Sequence, residues 1–162
     1  MLFKKKKNTK IFSDTDIVAP VDGEIFPIEE VSDAVFAQQM LGQSVSIHPL
    51  AGELTLVAPA NGVLELLYPT GHAYAVKMNN GIELLVHIGI DTVELNGKYF
   101  EILAKQKNTV NAGQPIVKAD FNNIKNAGYD VSVMLIVTGN PKDEEITFIQ
   151  NQGVYAADKI TV

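Results

Sequence analysis

This 162-residue sequence predicts an all-β fold, an antiparallel sandwich or barrel with one or two short helical turns. Three observations carry that prediction. Turn residues recur at short intervals: Asp22-Gly23, Asn61-Gly62, Asn80-Gly81 and Asn96-Gly97, then Gly113, Gly128 and Gly139-Asn140-Pro141. Between them lie short apolar or β-branched runs: Ile25–Ile28, Val45–Ile47, Leu54–Val57, Val63–Leu67, Ala73–Met78, Ile82–Ile90, Ile116–Val117 and Val131–Val137. Finally, Ala19–Ile25 (APVDGEI) resembles Ala58–Leu64 (APANGVL), a weak internal repeat that suggests two pseudo-symmetric halves.

Residues 1–15 read as a flexible basic arm that holds the one basic cluster, Lys4–Lys7. With Leu2 and Phe3 ahead of those lysines, a weak membrane-surface contact is open to it, at about 1 kcal/mol per basic residue. Met-Leu-Phe is too short for the apolar core of a signal peptide, so no export and a cytoplasmic location are expected. Residues 16–162 read as one domain, because no linker interrupts them. Two segments depart from the β pattern. Ser32–Leu41 suits a helical turn or two, with Ser32 as N-cap and Gly42 as stop, and Asp120–Ala127 suits another, stopped by Gly128.

Composition excludes several classes of function. The chain has no cysteine, which removes disulfides, thiolate nucleophiles and Cys-rich zinc sites and fits a reducing compartment. A net charge of −6 argues against general nucleic-acid binding, which needs clustered Lys and Arg on the phosphates. No window approaches the ~20 apolar residues of a membrane-spanning helix.

The chemistry centres on Thr70–Phe100. Asn80-Gly81 predicts a two-residue type I′ hairpin, because both residues tolerate positive φ. With that turn His87 faces Tyr74 and His72 lies one diagonal step away; with the turn one residue earlier the two histidines face each other. Either register puts them on one face, as side chains alternate with period two. A lone histidine in an apolar strand is most often a core residue. A second imidazole on the same face, and Gly89 leaving room two residues along, point instead to a site. Paired imidazoles without cysteine suit metal ligation, general base work or nucleophilic attack on phosphorus. Asp91 shares the face and can order a ring N–H, and the Thr70 hydroxyl can orient His72. Lys77, the one cation between Thr70 and Asp91, falls on the face opposite His72 by alternation. His48 is given no role.

Gly81–Phe100, GIELLVHIGIDTVELNGKYF, resembles the signature of the glucose-family enzyme IIA of the bacterial phosphoenolpyruvate:sugar phosphotransferase system. Thr70–Tyr74 is similar to that family's second-histidine segment, and Ile17–Ile25 and Ser32–Gly42 to its opening strand and the turn after it. Where the family usually shows Gly-x-Gly-Phe, this chain has Gly97-Lys98-Tyr99-Phe100. The resemblance implies a β-sandwich and a phosphocarrier that receives phosphate from HPr and passes it to a cysteine on the IIB domain of a sugar permease. It implies that His87 is the phospho-acceptor, as a tele-phosphohistidine, that His72 donates to the phosphoryl group and that Thr70 supports His72. It also implies a docking face of Asp33, Ala34, Val35, Phe36, Met40, Tyr68, Leu85, Asp91 and Val93 for HPr and IIB, with regulatory target proteins as a further class of partner. No cofactor is required, though zinc at His72 and His87 is an opportunistic alternative. Two rival readings are weaker. Val76-Lys77-Met78 resembles a biotin-acceptor hairpin but lacks Ala-Met ahead of the lysine, and His87-x-x-x-Asp91 gives half of a zinc-peptidase pattern whose second His-x-His is absent.

Overall fold

The computed structural model describes residues 11–162. The basic cluster Lys4–Lys7 and the membrane contact expected of Leu2 and Phe3 lie outside the described residues. Eleven strands follow in chain order: β1 Gly23–Phe26, β2 Ser44–Pro49, β3 Glu53–Val57, β4 Gly62–Leu67, β5 Ala73–Met78, β6 Glu83–Ile88, β7 Phe100–Ile102, β8 Thr109–Val110, β9 Pro115–Asp120, β10 Val133–Gly139 and β11 Gly153–Val154. Two short helices, α1 Ala34–Ala37 and α2 Phe121–Asn126, are joined by 3-10 turns at Ile28–Glu30 and Thr92–Leu95. The strands form an antiparallel sheet ordered β11-β1-β2-β10-β6-β5-β4-β8 and a smaller one ordered β3-β9-β7. The all-β sandwich read from the sequence is the fold observed.

Two clusters of apolar side chains hold it. The larger contains Ile25, Ile47, Leu56, Leu64, Tyr74, Leu84, Val86, Ile88, Ile116, Ile124 and Leu135, all 2 % exposed or less. Tyr74 brings a hydroxyl into it, which donates to the Val57 carbonyl at 2.7 Å, so the buried polar atom is satisfied. The smaller cluster lies on the opposite face of the large sheet, where Met134 and Ile136 of β10 are covered by Phe26, Ile28, Val31, Phe36 and Ile90.

The internal repeat is realised as two halves that cross. Val18 N–H donates to Pro59 O and Val57 N–H to Pro20 O, both at 2.8 Å. Ala19 exchanges backbone bonds with Ala157 and Asp158, as Ala58 does with Gly113 and Gln114. Asp22 Oδ1 accepts the Ala156 N–H and Asn61 Oδ1 the Ala112 N–H, each at 2.7 Å. The strand order of the large sheet has the same symmetry, β11-β1-β2-β10 on one side answering β8-β4-β5-β6 on the other. The halves differ in one connection. Residues 27–43, between β1 and β2, carry the 3-10 turn and α1, whereas β4 and β5 are joined by the short loop 68–72.

Several local expectations are corrected. Asp33, not Ser32, caps α1, its carboxylate accepting the Val35 N–H at 2.8 Å. The Ser32 hydroxyl is drawn to Asp130 Oδ2 instead, at 2.8 Å. Asp120 caps α2 and Gly128, at φ +99°, follows it as expected. Residues 11–15, read as part of a flexible arm, are held by amides of the fold: Asn61 Nδ2 donates to Phe12 O at 2.9 Å and Asn79 Nδ2 to Asp14 Oδ2 at 2.8 Å.

The hairpin is also corrected. Its loop is three residues, Asn79-Asn80-Gly81, closed by Gly81 N–H to Met78 O at 3.0 Å and Met78 N–H to Ile82 O at 2.8 Å. Gly81 has φ +91°, the left-handed position of a type I turn with a bulge. Ala73 therefore pairs with His87, one residue away from either expected register.

Gly23 and Gly62 occupy equivalent places, each against a backbone. A Cβ on Gly23 would stand 2.2 Å from His48 O, and one on Gly62 2.1 Å from Lys77 O. Gly23→Ala and Gly62→Ala should each lower the urea midpoint, at a cost of about 2–3 kcal/mol for overpacking against immovable atoms. Gly52→Ala, with open space around it but φ +97°, should cost only about 1 kcal/mol of backbone strain. Equal losses at all three would refute the packing account.

Candidate functional site

A one-residue change of register puts alternate residues on the other face, so a regular β5 would separate His72 from His87. They meet because His72 lies before the strand. The chain bends there after Gly71, which has φ +77°, while Ile88 N–H still donates to His72 O at 2.8 Å. Freed from strand alternation, the His72 ring turns edge-on to His87, with centroids 5.3 Å apart and planes at 83°. The meeting of the two histidines was legible in the sequence, but for a reason that does not hold. Lys77 shares the outward face of His87 in the observed register, yet is four residues from Ala73, roughly 14 Å along the strand.

Each imidazole is fixed through Nδ1. His87 Nδ1 lies 2.8 Å from the Gly89 carbonyl oxygen, which only accepts, so the ring proton is on Nδ1 and Nε2 is left with its lone pair. His72 Nδ1 is 2.6 Å from Thr70 Oγ1. Asp91, read as a partner for a ring N–H, is exposed at the left-handed start of the 3-10 turn, and Gly89 O takes that place. Gly89 does not leave open space either. At φ +77°, a Cβ there would fall 2.5 Å from Thr92 Cγ2, so glycine is needed for its backbone angle and for the close approach of buried Thr92, whose hydroxyl donates to Ile88 O.

Both rings are held neutral. Burial lowers the His72 pKa to about 4, helped by repulsion from His87, and His72 is only 4 % exposed. Burial also lowers that of half-buried His87, against the opposing pull of the Gly89 carbonyl and the charges of Asp33 and Asp91. Among the described residues no group of three or more His, Asp or Glu side chains is gathered as metal ligands.

Around the rings, the expected docking face divides. Val35 (40 %), Met40 (66 %), Tyr68 (40 %) and Val93 (48 %) are exposed, as are Ala34 and Asp91, with Asp33 half-buried. Tyr68 sits edge-on to His72 with centroids 4.9 Å apart. Phe36 does not belong to that exposed set. It is 9 % exposed within the smaller cluster, and its ring lies under His87 at 5.0 Å between centroids. Leu85 is half-buried against the same cluster. The α1 turn presents its apolar residues in both directions, which spacing over so short a helix does not reveal. Leu41, next in sequence after Met40, is 47 % exposed as well. His48, exposed on β2, stacks on Phe26 at 3.5 Å.

Comparisons with known proteins agree with this architecture. Residues 15–143 match the family model for the phosphoenolpyruvate-dependent sugar phosphotransferase system, EIIA 1. The chain is 39 % identical over 155 residues to a PTS system glucose-specific EIIA component of Staphylococcus aureus (strain COL), covering 94 % of this chain and 92 % of that protein. It is 38 % identical, over the same shares, to the protein of that name from Staphylococcus epidermidis. Among solved structures, glucose permease IIA from Mycoplasma capricolum superposes with a TM-score of 0.83 at 33 % identity, covering 90 % of this chain and 93 % of that one. Matched over most of its length by model, sequence and structure, the chain belongs to the EIIA type-1 family of the phosphoenolpyruvate-dependent sugar phosphotransferase system.

Proposed function

We propose that the phosphoryl group rides on Nε2 of His87. As an EIIA component the chain is a phosphotransferase that works with HPr and IIB. The observation that carries the atomic assignment is the bond from His87 Nδ1 to Gly89 O, which commits the ring proton and leaves Nε2 as nucleophile. The Nε2 lone pair forms the N–P bond as the bond between phosphorus and the HPr donor breaks, the donor leaving with its electron pair. In the second transfer a cysteine thiolate of the IIB domain of a glucose-family permease attacks phosphorus, and His87 departs with the N–P electrons. The proposed setting is the cytoplasm, with regulatory target proteins and an anionic membrane surface as further contacts.

His72 is the proposed donor to the phosphoryl oxygens. With the Thr70 hydroxyl donating to Nδ1, the remaining proton is on Nε2 and is available to the charge that spreads over the oxygens in flight. A neutral donor holds the group less tightly than an Arg or Lys clamp would, which suits a carrier that must release it. Incubation with phosphoenolpyruvate, enzyme I and HPr should give an acid-labile adduct on His87 alone, located by intact mass and site mapping. His72→Ala should still fold and be labelled, yet pass phosphate to IIB more slowly by on the order of 10²-fold, the usual effect of losing one transition-state donor. Full labelling of His87→Ala, or wild-type transfer by His72→Ala in rapid-quench kinetics, would overturn these assignments.

Depressed imidazole pKa values set a pH dependence. In the unfolded chain His72 takes a proton near its ordinary 6.5, whereas in the folded one it resists to about 4. Stability is therefore fully present above pH 6.5 and is lost as pH falls between those values, with a slope of up to about 1.4 kcal/mol per unit. The His72 ring should titrate near pH 4 by NMR, and wild type should lose more stability than His72→Gln between pH 7.5 and 5. A midpoint near 6.5 would remove the basis for both.

Docking and core roles separate by stability. Val35→Lys should weaken association with HPr and IIB at an unchanged thermal midpoint, because it places an unpaired charge in an apolar interface. Phe36→Ala should instead cost about 3 kcal/mol of folding stability, as for other buried aromatics. Calorimetric unfolding of the two variants beside their binding isotherms checks both, and a stable Phe36→Ala would return that residue to the interface.

A further inference from the structure

The sequence singles out nothing at Asp130, yet its bonds converge on the peptide that fixes His87. Asp130 Oδ1 accepts the Ser132 N–H at 2.8 Å and the Ser132 hydroxyl at 2.7 Å, while Oδ2 accepts the Ser32 hydroxyl at 2.8 Å. Its backbone carbonyl accepts the Ile90 N–H at 3.0 Å, and Gly89 N–H donates to Ser132 O at 2.8 Å. The Ile90 N–H and the Gly89 C=O belong to one peptide unit. That unit runs as a chain of bonds from Asp130 O, through Ile90 N–H and Gly89 C=O, to His87 Nδ1. Burial opposes the charged form of Asp130, but the bonds from Ser132 and Ser32 hold its carboxyl below the ordinary value, so it is an anion.

Gly89 at φ +77° lies in a region where glycine can pivot, and beyond the end of β6 the peptide is held through the Ile90 N–H bond to Asp130 O. A turned peptide would withdraw its carbonyl from Nδ1, and His87 could then carry its proton on Nε2, the atom that has to be nucleophilic. Through Ser32, the same carboxylate also ties down the residue before Asp33, which caps α1 and lies within electrostatic reach of His87.

We propose that Asp130 is a positioning residue for phosphoryl transfer: by clamping Ser132 and Ser32 it holds the Gly89–Ile90 peptide in the orientation that keeps the His87 proton on Nδ1. This rests on the reading that His87 Nε2 accepts the phosphate. A carboxylate suits the task because one group accepts three donors from two separated segments, and aligned dipoles strengthen one another along such a chain. Outer-shell partners fix histidine tautomers at metal centres in the same way, and their loss typically costs 10- to 100-fold.

The test combines ¹⁵N NMR of the His87 ring in the full chain with initial rates of phosphorylation by phospho-HPr. Wild type should show a single tautomer protonated on Nδ1. Asp130→Ala should show a mixture at His87 and slow phosphorylation by about tenfold, the low end of that range. Asp130→Asn keeps an oxygen for Ser132 and should fall between. A folded Asp130→Ala with wild-type tautomer overturns the proposal, whether its rate is normal or slowed. Should that variant not fold, Ser32→Ala, which removes one bond from an exposed hydroxyl, decides by the same measurements: a His87 tautomer and rate unchanged from wild type overturn the proposal. Phosphate mapped to an atom other than His87 Nε2 in wild type defeats the functional reading itself and is told apart from these outcomes by the mapping.

Discussion

The contact between His87 Nδ1 and the Gly89 carbonyl, at 2.8 Å, is the interaction on which the proposed chemistry of this fold depends. A neutral imidazole can place its proton on either nitrogen, and only the unprotonated one can attack phosphorus. A backbone carbonyl two residues along can reach back to the ring only where the strand ends and the chain turns through a positive φ, which Gly89 supplies. Thr92 closes on the space a side chain would need, and the Ser132 and Asp130 carbonyls take the neighbouring N–H groups. A steric requirement, a hydrogen-bond requirement and a chemical one therefore fall on the same residue.

The field around that contact is weak by design of the sheet. Burial keeps both imidazoles uncharged near neutral pH, and the carboxylates of Asp33 and Asp91 act on His87 through space without bonding to it. In the proposed role those carboxylates would repel a phosphoryl group on His87 and so favour its release over retention. Toward a basic partner surface the same carboxylates would speed encounter more than they raise affinity. Val35, Met40, Leu41, Tyr68 and Val93 are exposed apolar side chains, the kind that mark a protein interface when they are contiguous.

Much of this was legible in the sequence, and the misses share a cause. Strand positions followed from turn residues and apolar runs because each run had one buried face to satisfy. Register did not follow: Asn79-Asn80-Gly81 can form a two-residue or a three-residue loop, and the choice shifts every pair by one. The same limit hid Phe36, since four helical residues give no periodicity to separate inward from outward faces. Ser32 read as the cap of α1, and it is the distant Asp130 that draws its hydroxyl away while Asp33 takes that place. Tyr99 is the reverse case. It stands where the family pattern usually has glycine and adopts φ +77°, so the backbone demand persists after the residue that eases it has changed.

Why the site lies where it does follows from the broken symmetry of the two halves. About the axis that exchanges β1 with β4 and β2 with β5, the register pairs carry His87 of β6 onto Ile136 of β10. Ile136 is fully buried beneath the residues that the long β1–β2 connection lays across its half of the sheet. The β4–β5 loop is too short to lay down an equivalent cover, so the same position in the other half stays half-open. Covering one half with Phe26, Ile28, Val31 and Phe36 gives the open half a rigid wall, and Phe36 completes it under the His87 ring. The short loop then contributes what the open half lacks, since its last residue is His72 and its Thr70 holds that ring. An insertion in one half and a tight connection in the other thus turn two similar β units into one sheltered wall and one open edge that carries both histidines.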